Sequence, residues 1–197
     1  MKNVRKVNKV TKEQLRDMIL NAEDINTVDY SDVTDMSWMF QECSSLEEIP
    51  HLDTSKVTSM GAMFNGCSSL KKIPHLDTSK VTSMVGMFYG CSKLEEISLS
   101  DTSKVTDMGA MFNGCSSLKK IPHLDTSKVT RMRYMFYKCS SLKEAPHLDT
   151  SKVTDMVGMF NGCSNLEYLE EPMDFVNYVW DKKKHPKIFK KYPELFV

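Results

Sequence analysis

Six cysteines and four of the five histidines in this 197-residue chain recur at intervals that bring like side chains together. Cys43, Cys67, Cys91, Cys115, Cys139 and Cys163 lie 24 residues apart. Thiols so spaced suit a metal site, a set of disulfides, or a row of small buried groups. No Cys-x-x-Cys pair is present, and stacked parallel side chains rarely meet the torsion a disulfide requires. The buried row is therefore the expectation, free cysteine being among the most buried residue types. His51, His75, His123 and His147 share the period, with Leu99 interrupting them. Adjacent pairs such as His51 and His75 would offer two metal ligands without a third, a weak site. A solvent-facing row beside proline is expected instead, and neither metal nor any other cofactor is predicted. His185 stands apart, near the C-terminus.

The charged residues follow the same period. Lys56, Lys80, Lys104, Lys128 and Lys152 make a basic stripe, and Asp53, Asp77, Asp101, Asp125 and Asp149 each precede a lysine by three residues. Local neutralisation by those aspartates is expected, which makes the stripe a poor phosphate track. A second set reads Glu47-Glu48, Lys71-Lys72, Glu95-Glu96, Lys119-Lys120 and Lys143-Glu144. Stacked neighbours then meet with alternating sign, a device that fixes register at about 0.2–1 kcal/mol per exposed pair. No Ser-His-Asp grouping, phosphate loop or His-Glu-x-x-His motif is found outside the repeated frame, so no enzyme is expected.

These patterns require an architecture that superposes every twenty-fourth residue. The period also carries Val33 to Val153, Met36 to Met156, Met39 to Met159, Phe40 to Phe160 and Leu46 to Leu166, and takes up twelve of the fifteen methionines. A unit this short cannot bury an apolar face alone and must stack on its neighbours. The spacing predicts an α/β solenoid of six 24-residue coils, each with a short parallel strand and a short helical turn. The strand is assigned to the Cys-Ser-Ser-Leu-Lys-Lys-Ile stretch, which ends at Pro50, Pro74, Pro122 and Pro146 because proline lacks an amide donor. Asp-Thr-Ser supplies turn residues. Met-x-x-Met-Phe has helical spacing and is followed by glycine in four repeats, which suggests one tight helical or 3₁₀ turn. Three segments are expected: an N-terminal helical cap over 1–24, the solenoid over 25–169, and a basic, aromatic helical cap over 170–197. In the first, Thr11 and Gln14 have the spacing of a capping box that opens a helix running to about Ala22.

The unit Val-Thr-Ser-Met-x-x-Met-Phe-x-Gly-Cys-Ser-Ser-Leu resembles the BspA-type leucine-rich repeats, in particular the Asp-Thr-Ser-x-Val-Thr-x-Met subclass that carries a domain-of-unknown-function label. The resemblance covers about residues 25–169. It implies a leucine-rich-repeat-like solenoid, and bacterial surface proteins or lipoproteins that bind host or partner proteins. The family defines no catalytic residues, so none is carried over.

A binding site is expected where the repeat departs from itself. The fifth unit reads Arg131-Met132-Arg133-Tyr134-Met135-Phe136-Tyr137-Lys138, where other units have small or amide residues. Arg and Tyr are enriched at interface hot spots. Trp38 and Tyr89 occupy related positions in the first and third units. Arg131, Arg133, Tyr134, Tyr137, Lys138, Trp38 and Tyr89 are therefore the predicted partner-binding residues; drift at tolerant surface positions is the alternative.

The chain has no net formal charge, but residues 1–20 carry six basic and two acidic side chains, 173–197 carry six and three, and 21–172 carry fourteen and twenty-one. A protein partner is the leading expectation. Nucleic acid bound through the basic ends, as for an inhibitor carried by a mobile element, is the second. No apolar run is long enough to span a membrane and no signal-peptide pattern opens the sequence, so a cytoplasmic protein with reduced thiols is expected, a cell-surface adhesin being the alternative from family resemblance.

Overall fold

The computed structural model describes residues 8–169 and 180–192. Its core consists of the predicted ladders. Phe40, Phe64, Phe88, Phe112, Phe136 and Phe160 are all fully buried. Their rings stack in one column, with centroids 5.4–5.7 Å apart and planes within 2–9° of parallel. Fully burying a side chain of this kind contributes about 1.5–3 kcal/mol. Because each ring touches only its neighbours, that gain exists only in the stack. Both methionine ladders are buried with it.

The backbone between the ladders differs from the expectation in two ways. The most regular parallel pairing does not lie in the Cys-to-Ile stretch. It runs just before the first methionine, where Asp35, Ser59, Ser83, Asp107, Arg131 and Asp155 bridge in succession. Around each bridge the threonine amide donates backward and the methionine amide forward: Thr82 N to Thr58 O at 3.1 Å, and Met84 N to Asp107 O at 3.1 Å. In the predicted stretch, ladder bridges are limited to Lys72–Glu96 and to β3 (Glu144–Ala145) beside β4 (Tyr168–Leu169), with single amide bonds such as Lys71 N to Glu47 O and Glu95 N to Lys71 O between other coils. Near the N-terminus β1 (Asn8–Lys9) pairs in parallel with β2 (Val28–Asp29).

The second difference concerns Met-x-x-Met-Phe, which is not helical. Trp38 and Glu42 have φ of 63° and 59°, and the same places hold Ala62 and Gly66, Gly86 and Gly90, Ala110 and Gly114, Tyr134 and Lys138, Gly158 and Gly162, all with positive φ. Left-handed residues break a helix but complete tight turns, here closed by Met39 N to Met36 O and Cys43 N to Phe40 O. The amides a helix would use internally reach the next repeat instead: Met36, Trp38, Phe40 and Glu42 donate to the carbonyls of Ser59, Gly61, Met63 and Asn65. Every second amide is thus committed to stacking, which overrides the helical spacing of the side chains.

Polar residues close the rest of each coil. Thr54, Thr78, Thr102 and Thr126 are buried and donate through Oγ1 to the aspartate carbonyl of the following repeat at 2.7–3.0 Å. Leu99 is more than an interruption of the histidine row. It bridges to Leu76 and is buried, a slip of one residue that lets it fill the place of the inward leucine while Ser100 turns outward.

At the N-terminal end α1 (Lys12–Leu20) carries the predicted capping box between Thr11 and Gln14. It buries Leu15 and Ile19 in the core, and its Lys12 Nζ donates to Ser37 O at 3.3 Å, one of the carbonyls that face away from the second repeat. After it come a 3₁₀ turn, Ile25–Thr27, and β2. At the other end Trp180 continues the phenylalanine column, its ring 5.7 Å from Phe160 with planes 6° apart. α2 (Pro186–Lys191) follows and buries Ile188. Part of the predicted C-terminal segment, 170–179 and 193–197, lies outside the described residues.

Candidate partner-binding site

Four of the predicted site residues form one cluster. The Arg133 guanidinium lies 4.9 Å from the Tyr134 ring centroid, and its Nη2 donates to the Tyr134 hydroxyl at 3.4 Å. Tyr134 meets Tyr137 edge to face at 5.6 Å, and Lys138 Nζ lies 5.3 Å from the Tyr137 centroid. The left-handed turns and two glycines aim these groups. A Cβ at Gly158 would overlap the Tyr134 ring, and one at Gly162 would press on Lys138, so the glycines of the sixth repeat form a bed for the side chains of the fifth.

Arg131 is placed differently. It occupies the parallel ladder, and its Nε donates to Asp107 Oδ2 at 2.6 Å. The Asp107 side chain is only 16% exposed, so this pair helps hold the fourth and fifth repeats in register. Arg133 has a looser contact, 3.8 Å to Asp155 Oδ2, and remains half exposed. Trp38 occupies the turn position of Tyr134, and Tyr89 that of Tyr137, so both lie on the same edge, exposed by 58% and 44%. They do not join the cluster: at roughly 4.8 Å per stacked coil, Trp38 is about 20 Å from Tyr134. Val85 and Val157 are also exposed on this edge. Neither is among the predicted residues, although a β-branched residue where other repeats have Gly, Ser or Arg is a visible signal.

The predicted ladders of chemistry resolve into structure. Cys67, Cys91, Cys115, Cys139 and Cys163 are buried, and each Sγ donates to the phenylalanine carbonyl 27 residues earlier at 3.0–3.1 Å. The 24-residue spacing predicts this burial, which Cys43 at the open end meets only in part, but does not reveal the hydrogen bond. Burial pushes the Cys67 and Cys163 thiols up to about 12, and Cys115 and Cys139 well above their ordinary value. His51, His75 and His123 are exposed and His147 is half-buried. The aspartates do not form ion pairs with the lysine stripe among the described residues. Asp53 Oδ1 instead accepts from Ser55 N at 3.0 Å, and Asp77, Asp101, Asp125 and Asp149 repeat the turn. The serine hydrogen bonds, from side chain and backbone, hold Asp53, Asp77, Asp125 and Asp149 below the usual carboxylate range. The alternating doublets do pair, Lys71 with Glu47 at 2.6 Å, Lys72 with Glu48 at 3.5 Å and Lys119 with Glu95 at 2.8 Å. Among the described residues, no three His, Cys, Asp or Glu side chains gather as a metal site, and no helix is long and apolar enough to cross a membrane.

Stacked repeats with one decorated turn edge define the chain as a repeat solenoid. It belongs to the family described as "Mycoplasma protein of unknown function, DUF285", whose profile matches residues 9–120 and again 67–170. No curated protein matches the sequence. Solved structures that resemble it are bacterial leucine-rich repeat proteins. One from T. pallidum is 24% identical, with a TM-score of 0.45 over 62% of this chain and 67% of that one. A leucine-rich cell surface protein from Faecalibacterium prausnitzii is 25% identical, with a TM-score of 0.47 over 66% of this chain and 32% of that one. One from Bacteroides ovatus is 24% identical, with a TM-score of 0.47 over 64% and 36%. The chain thus spans about a third of the length of the latter two.

Proposed function

We propose that the chain is a non-catalytic protein-binding module whose contact surface is the turn edge centred on Arg133, Tyr134, Tyr137 and Lys138, with Arg131 at its margin and Trp38 and Tyr89 further along. The observation that carries this reading is the cation-aromatic cluster held over Gly158 and Gly162. A bound partner need not order these side chains, because neighbouring turns already restrain them, and preorganisation of that kind lowers the cost of association. The lysines of the C-terminal segment favour a protein over nucleic acid: Lys184 pairs with Asp181, Lys187 with Glu167, and Lys191 lies over Tyr168. The domain division into 1–24, 25–169 and 170–197 belongs to the same reading, supported by α1 at one end of the stack and by Trp180 and α2 at the other.

Arg133→Ala with Tyr137→Ala is the variant of choice, since reversing Arg131 would also strand Asp107. Capture of a protein from the native cell extract, insensitive to nuclease, is expected to fall at least tenfold in that variant at an unchanged melting temperature. Capture that survives the substitutions removes the site. Capture lost on nuclease treatment, or falling steeply with salt, replaces it with the nucleic-acid reading.

A further inference from the structure

The charge alternation that registers the coils breaks at the fifth repeat, where a cavity opens. Through the first four repeats each doublet has one sign, and the pattern calls for glutamate at position 143. The chain has Lys143 there, one repeat on from Lys119, so that like charges are stacked in a way that opposes pairing. Lys119 is held by Glu95, whereas Lys120 and Lys143 make no ion pair among the described residues. All three line a cavity of about 550 Å³, with Ile121, Pro146 and Tyr168 as its apolar wall. Tyr168 is 46% exposed, and Lys191 Nζ lies 3.8 Å from its ring centroid, which brings another cation to the rim.

We propose that this cavity docks an extended acidic segment of a partner protein, its carboxylates pairing with Lys120 and Lys143 and an apolar side chain resting on Ile121, Pro146 and Tyr168. Charge complementarity selects the occupant. Lys143 stacks on Lys119 where the pattern would have placed a glutamate, and neither it nor Lys120, which stands between Glu96 and Glu144 in the stack, makes an ion pair among the described residues, while the wall between them is apolar. A nucleic-acid strand fits less well. Glu144 lines the same cavity and Glu96 its extension; a peptide can set apolar residues against them between its carboxylates, whereas a nucleic-acid strand carries a phosphate at every residue. Lys191 already covers one face of Tyr168, where a base would stack. The proposal rests on the protein-binding reading and extends it, using the Leu-x-x-Ile stretch of the coil rather than the turn edge.

The test is fluorescence anisotropy with a labelled twelve-residue peptide of glutamate and leucine, beside a labelled twelve-nucleotide oligothymidylate, at low salt. Saturable peptide binding is expected, weakened about tenfold or more by Lys120→Gln with Lys143→Gln at an unchanged melting temperature. Arg133→Ala with Tyr137→Ala is expected to leave peptide binding intact, which separates this groove from the edge. The proposal is overturned by absent peptide binding, by equal affinity in the lysine variant, or by oligonucleotide binding as tight as the peptide's. Self-association that the lysine substitutions abolish would overturn it too, assigning the groove to a second copy of the chain.

Discussion

Repetition alone would leave every cysteine a generic small core residue, but the geometry gives each a partner. The thiol of one repeat donates to the phenylalanine carbonyl of the repeat before, so the Cys and Phe ladders brace each other. The C-terminal end repeats the contact with other chemistry: Phe160 O lies 3.0 Å from His185 Nε2, where a further repeat would have placed a thiol. Cys43 is half-buried and the other five thiols are buried, so a thiol-labelling reagent is expected to modify one cysteine in the folded protein and six after denaturation. Fast reaction of several thiols in native buffer would contradict the ladder. Phenylalanine carries more of the energy: Phe112→Ala, in the middle of the column, is expected to cost about 3–5 kcal/mol, measured by urea unfolding.

At the level of the element, the tight turn is the part that both builds and decorates the coil. Its two left-handed positions are filled by Gly or Ala in most repeats and by Trp38, Tyr134, Glu42 and Lys138 at the exceptions. Non-glycine residues are tolerated there because every second amide is tied to the neighbouring coil, which fixes the backbone whatever side chain it bears. Gly158→Ala exploits this. Ala62 and Ala110 show that the turn accepts alanine at this position, yet at 158 the new methyl would displace the Tyr134 ring. The expected result is a loss of stability of about 1–2 kcal/mol, with a loss of partner capture comparable to that of Arg133→Ala with Tyr137→Ala. Full capture by this variant would show that the position of the Tyr134 ring does not matter.

Taken as a whole, the molecule is a stack in which each coil contributes the same titrating groups. The folded state depresses Asp53, Asp77, Asp125 and Asp149 through serine hydrogen bonds. Their stabilisation is complete above the unfolded carboxylate value, about 4, and is lost as pH falls through the lower folded values. The buried thiols act in the opposite sense. Raised in the folded state, they contribute fully below the unfolded value, about 8.5, and the contribution fades as pH climbs toward about 12. Melting temperatures under reducing conditions are therefore expected to be level from about pH 5 to 8 and to decline on both sides. A melting temperature that keeps rising above pH 9 would remove the thiol contribution.

The 24-residue period was enough to determine the stack, because only superposition buries Val, Met, Phe, Cys and Leu positions that recur at one spacing. It also determined the capping box at Thr11 and the pairing of Lys71 with Glu47, which depend on local spacing or on the repeat itself. Several features depended on contacts between coils. Met-x-x-Met-Phe has the side-chain spacing of a helix, and only the neighbouring carbonyls, by taking every second amide, turn it into paired tight turns. No strand is predicted at Thr106 and Asp107, since the residues at this position vary among Asp, Ser and Arg, yet stacking places them on the longest parallel ladder of the described residues. Leu99 reads as a break in the histidine row until the slip beside Leu76 places it in the core. The groove at Lys120 and Lys143 was hidden for the same reason. The Lys143-Glu144 doublet shows its mixed sign in the sequence, but which lysines go without an ion pair among the described residues is visible only in the tertiary structure.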